Sequence, residues 1–189
     1  MHHLMLGEQT LKEFKNLIVL GPLIYAIHHF EEHIIFNFRE WRLNYFSDNN
    51  PFSTEEVLVR LVSILLIIVF VHLIKNNRGS AHIVLFFLMT TQVANAFFHI
   101  FFSFYYYDFS PGAVTAVLLY LPINYLIIRA AFKEGFVQSF FELLLLIGGG
   151  IITFALFELV GPKVIAYSLI MMPLYYILIN KMDKKSITA

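Results

Sequence analysis

The chain has no cysteine among its 189 residues. That excludes a disulfide framework, a thiolate zinc site and an iron–sulfur cluster. Charge is scarce too: 14% of residues are Asp, Glu, Lys or Arg, where soluble domains average about 25%. Cations and anions balance at 13 each, so no bulk attraction to nucleic acid is expected. Internal repeats, low-complexity tracts and segments long enough for a soluble domain are all missing. No small-residue cleavage site follows the first apolar run, which is therefore expected to stay in the protein.

Apolar residues fill the space left by charge. They make up 59% of the chain, mean hydropathy is +0.72, and they fall in long runs. One bilayer crossing takes about 20 of them. The chain is therefore expected to be one all-α integral membrane domain over residues 1–189. Its fold class is a polytopic helix bundle of about six transmembrane helices, at 16–38, 57–75, 81–104, 113–131, 137–160 and 164–181.

The joints carry their own chemistry. Ser53-Thr54-Glu55-Glu56 predicts a capping box opening the second span. Ser110-Pro111-Gly112 predicts Ser110 as N-cap and Pro111 as first helical residue of the fourth. Gly148-Gly149-Gly150 predicts a close approach of two helices. Lys12, Lys15, Lys75, Arg78, Arg129, Lys133, Lys181, Lys184 and Lys185 fall on one side of the spans, and Arg39, Arg42 and Lys163 on the other. The positive-inside rule then makes both termini cytoplasmic. The expected setting is a bacterial cytoplasmic membrane, with lipids as partners.

One stretch breaks the pattern. Residues 28–33 read HHFEEH inside the first apolar run. At about 100° per residue, His28, His29, Glu31, Glu32 and His33 share one broad arc centred on Glu32. Leu23, Ile27, Phe30 and Ile34 fill the opposite arc. The third span carries a matching stripe, Thr91, Gln92, Asn95, His99 and Ser103, at spacings of three and four. Both patches lie past the middle of outward-running spans, so they are expected to meet in the outer half of the bilayer.

Each ionisable group at the centre of a membrane costs about 2.5–3.5 kcal/mol, and two ionised neighbouring glutamates repel. A divalent cation relieves both, and imidazole plus carboxylate suits zinc, iron or manganese. A proton relay without metal and a purely structural polar network are the competing readings. Two ligand arcs stay open: His28 with Glu31 and Glu32, or His29 with Glu32 and His33. The second spells H-x-x-E-H, the inverted zinc-protease pattern. Glu-Glu-x-x-x-Arg, the glutamyl protease pattern, fails at Phe36. Arg60 reads as a snorkelling cation or a headgroup contact.

His28-His29-Phe30-Glu31-Glu32, then Asn95-Ala96-Phe97-Phe98-His99, resembles the two leading motifs of the HXXEE-domain family of integral membrane proteins. A third family motif, Tyr-x-Pro-Gly, stands here as Phe109-Ser110-Pro111-Gly112, and Tyr107 is the nearby candidate to replace the missing tyrosine. The resemblance implies a site rather than a reaction.

The function expected from these residues is a metal-dependent hydrolase or transferase acting on a small lipid-like or other apolar substrate. His28, Glu31, Glu32 and His99 would hold a divalent metal, zinc ahead of iron or manganese. Glu31, Glu32 and Asn95 would act in catalysis, and Arg60 and Tyr107 would bind substrate. A proton- or cation-coupled transporter using the same cluster is the alternative.

Overall fold

Apolar runs closed by polar caps set the architecture. The structure, a computed structural model, describes residues 13–47 and 50–187, with side chains as far as Asp183. After a short helical turn at Phe14–Leu17, α1 (Leu20–Phe30) runs on through a π-helical turn, Glu31–Ile35. Then come α2 (Phe38–Tyr45), α3 (Thr54–Lys75), α4 (Arg78–Tyr105), α5 (Ala113–Lys133), α6 (Phe140–Val160) and α7 (Lys163–Ile187). Among the described residues there is no strand.

The helices α3 to α7 are long and apolar enough to cross a membrane. The run expected at 16–38 is the exception. Its helix is interrupted by a turn at residues 18–19, after which 11 α-helical and 5 π-helical residues follow. It stops because Phe36 turns extended and Asn37 caps the next helix, accepting from the Glu40 N–H at 3.2 Å. That helix, α2, is tied back to the α4–α5 loop: the Tyr45 hydroxyl donates to Asp108 at 2.9 Å, which raises the phenol above its ordinary pKa. Of the cations that set the expected orientation, Lys12 lies outside the described residues, as do the side chains of Lys184 and Lys185.

The capping box at Ser53 and Glu56 is present in both directions. The start of α5 differs from expectation. Gly112, at φ +97°, takes the N-cap position and the helix begins at Ala113, because the Ser110 hydroxyl is engaged elsewhere.

The central helix is α4. In its most apolar stretch 61% of residues are buried, against 28% or less for the other four. It packs on α3, α6 and α7, and its second half meets the start of α5. Polar struts join it to the outer helices. Gln92 Nε2 donates to the Gly21 carbonyl of α1 at 2.9 Å, and Asn124 Nδ2 of α5 donates to Gln92 Oε1 at 2.8 Å. At the far end of the bundle Arg78 is paired with Glu142. There His82 donates through Nε2 to the Phe136 carbonyl, so its Nδ1 accepts from the Tyr175 hydroxyl.

The three glycines of α6 are not equivalent. A Cβ on Gly150 would lie 2.8 Å from the backbone carbonyl carbon of Met89, whereas one on Gly148 meets nothing within 4 Å. Gly150→Ala should therefore force α6 off α4 and cost on the order of 1–3 kcal/mol. Gly148→Ala should hold or raise stability, since alanine is the better helix former. Thermal unfolding in detergent micelles checks the contrast.

Candidate metal centre

Glu32 is the meeting point of three chain segments. Its Oε1 lies 3.2 Å from His28 Nε2 on its own helix and 2.9 Å from His99 Nε2 on α4. Its Oε2 lies 3.6 Å from His33 Nε2 and 3.9 Å from His29 Nδ1. Histidines of both arcs left open by the sequence thus face Glu32, one set on each carboxylate oxygen. The π turn makes this compatible with one helix. Phe36 N–H bonds back to the Glu31 carbonyl, five residues away, at 3.0 Å, and the extra residue splays His33 from the straight α-helical stripe. Such turns recur at functional sites. Here α4 has one at Met89–Ala94, ending next to Asn95, and α5 has one at Ala116–Tyr120, starting next to Thr115.

His28, Glu32 and His99 are 2%, 6% and 0% exposed. Although both Nε2 atoms sit close to the carboxylate, neither has a hydrogen-bond partner. Two buried imidazole nitrogens thus converge on one carboxylate oxygen as close contacts that do not form hydrogen bonds. Around a tetrahedral zinc with bonds of ~2.0–2.2 Å, donor atoms stand about 3.3 Å apart. The observed separations suit an ion held between these donors.

The other ring nitrogens are held as well, and for His28 this sets the tautomer. His28 Nδ1 is 2.7 Å from Thr115 Oγ1, and that hydroxyl donates to the Gly112 carbonyl. It therefore accepts from His28 Nδ1–H, which leaves Nε2 as a bare lone pair, the form a metal needs. His99 Nδ1 meets the buried Ser110 hydroxyl at 2.9 Å, and Ser103 Oγ accepts from the Ser110 N–H at 3.0 Å.

Gly112 closes the space. A Cβ there would fall 2.8 Å from His28 Cε1, 2.9 Å from Glu32 Cγ and 3.0 Å from His99 Cε1. The three sequence motifs thus enclose one cradle, and Pro111-Gly112 is the wall that admits no side chain.

Glu31 has a different place. It is buried, and its two oxygens accept from the backbone N–H groups of Val114 at 3.2 Å and Thr115 at 2.7 Å. It caps α5 and joins neither His/Glu grouping. Asn95, expected in catalysis, makes no bond to His99, which is held by Ser110, and Asn95 Oδ1 is buried without a hydrogen-bond partner.

A cavity of about 180 Å³ opens beside Glu32. Glu32, His29, His33 and Asn95 line it together with apolar residues of α3, α4, α6 and α7, whereas His28 and His99 do not. Arg39 and Arg42 also line it, and Arg42 pairs with Glu158 at 2.9 Å. The two residues expected to bind substrate lie elsewhere. Arg60 stacks 3.6 Å over the Phe52 ring, beside Glu56 at 3.7 Å. Tyr107 is 97% exposed, at φ +52°.

Sequence reasoning missed Thr115, the Ser110 hydroxyl as a partner of His99, and the Arg42–Glu158 pair. For Thr115 the signal available was its position three residues after the glycine, on the turn that Glu31 caps. Gly112→Ala should abolish metal binding while the helical far-ultraviolet spectrum persists. Thr115→Val should weaken binding about 10–100-fold, the usual loss for a residue that orients a ligand. Isothermal titration with zinc checks both.

No curated protein and no solved structure matches the chain. One family, described as a protein of unknown function with HXXEE motif, matches residues 19–127, a span that holds Glu32, Asn95, His99 and Gly112. The chain belongs to this HXXEE family.

Proposed function

We propose that the protein is a membrane-embedded, metal-dependent enzyme of the hydrolase or transferase type, acting on a lipid or other apolar substrate. One observation carries this. Two buried imidazole nitrogens, His28 Nε2 and His99 Nε2, converge on the Glu32 carboxylate at the edge of an apolar cavity.

His28, His99 and Glu32 would hold the metal. The all-imidazole and carboxylate donor set suits zinc first, then iron or manganese. Such an ion, when bound, polarises a carbonyl or phosphoryl oxygen and brings the pKa of water towards neutrality.

The chain's own residues do the rest. Glu32 supplies the anionic donor and links the site to the cavity. The Asn95 Oδ1 accepts a hydrogen bond from a substrate hydroxyl or amide. Glu31 holds the Gly112 wall in place through the first turn of α5.

The cavity, at about 180 Å³, is below the ~300–1,000 Å³ typical of whole-ligand pockets. It fits a headgroup or part of a chain, with the remainder of an amphiphile in the bilayer. We place the site in the outer half of a bacterial cytoplasmic membrane.

Protein purified in detergent without chelator should carry at least one metal ion per chain. His28→Ala and His99→Ala should lose it, and Glu32→Gln, which removes the anionic donor, should weaken its binding and lower turnover of lipid amides or esters by about 10²-fold or more. Metal analysis and a lipid hydrolysis screen measure this. Protein that is metal-free and takes up no zinc on reconstitution, yet carries protons in proteoliposomes, would instead establish the transporter.

A further inference from the structure

The Glu32 carboxylate has two faces, and the metal proposed above uses one. His29 and His33 stand opposite the other oxygen, one helical turn apart, with ring centroids 4.3 Å from each other. His29 is 7% exposed and turns Nδ1 towards Glu32. His33 Nε2 and His29 Nδ1 lie 3.6 and 3.9 Å from Glu32 Oε2. Those separations exceed the 2.7–3.2 Å of an N–H···O hydrogen bond. Two donors each ~2.1 Å from a common ion stand about 3.0–4.2 Å apart as the angle between them opens from 90°.

We infer that the protein binds two divalent cations bridged by Glu32: an inner one on His28, His99 and Oε1, and an outer one on His29, His33 and Oε2. The inference rests on the inner site proposed above.

The two sites differ in access. The inner histidines, packed against Gly112, contribute nothing to the cavity wall, while His29, His33 and Glu32 all line the cavity. Both sets offer three protein donors, the number that leaves a position open on a catalytic ion. The outer one would be met first by substrate arriving through the cavity, with the inner one directly behind it across the shared carboxylate. A carboxylate bridge gives the spacing of about 3.5–4 Å found in two-metal hydrolytic sites. The substrate class that such a pair takes is a phosphoester, ester or amide whose oxygen reaches past Asn95. This also explains why α1 carries three histidines around one glutamate.

Full-length protein in detergent, reconstituted with Mn²⁺ and freed of excess ion, tests this. The wild type should hold two Mn²⁺ per chain and give the paramagnetic resonance spectrum of an exchange-coupled pair. His29→Ala and His33→Ala should each hold one Mn²⁺ with an uncoupled six-line spectrum. His33→Asp, which restores a ligand, should recover the second ion and shows that loss in His33→Ala is not misfolding. Two outcomes overturn the inference: a wild type with one ion that His29→Ala retains, which leaves the inner site standing, or a wild type with no ion, which removes the inner site as well.

Discussion

A carboxylate buried in an apolar bundle has to be neutralised, and Glu32 is that carboxylate. At 6% exposure it has four imidazoles around it and no lysine or arginine paired with it among the described contacts. Imidazoles are weak partners for an anion unless they are protonated or share a cation with it. Everything nearby serves that balance. Thr115 and Ser110 hold the ring nitrogens that face away, Glu31 anchors the segment carrying Thr115, and Gly112 leaves room where the donors converge. The permanent cations are kept apart from it, Arg42 on Glu158 and Arg78 on Glu142.

Backbone irregularity is concentrated in the same place. The three helices that build the site each contain a π-helical turn close to a site residue, and a positive-φ glycine stands between the second and third. The straighter α3 and α6 contribute cavity walls and packing. Regular helix supplies the scaffold here, and departures from it aim the side chains.

Much of this was legible in order along the chain. Long apolar runs with capped ends gave α3 to α7 within a few residues, because hydropathy and capping are local. The meeting of Glu32 with His99 was also readable, since two polar stripes at matching depth have few other places to go. Three things were not. The interruption of the first run depends on Asn37 capping a new helix, a feature hidden by the apolar residues around it. The choice between the two arcs of α1 could not be made on an ideal helical wheel, because the π turn changes the wheel midway. Glu31 looked like its neighbour Glu32, and only the position of the α5 backbone separates a helix cap from a ligand. Arg60 and Tyr107 were singled out by charge and by proximity to a motif, and neither property says which way a side chain faces.

The cap that Glu31 places on α5 joins residues 84 positions apart. At a synthesis rate of about 5–20 residues per second, that gap lasts roughly 4–17 s. For most of it His99 does not yet exist, and for nearly all of it neither does Gly112. Until then the imidazoles beside Glu32 are those of its own helix, at positions 28, 29 and 33. The segment thus carries three of the four imidazoles around its acid before the rest of the chain arrives.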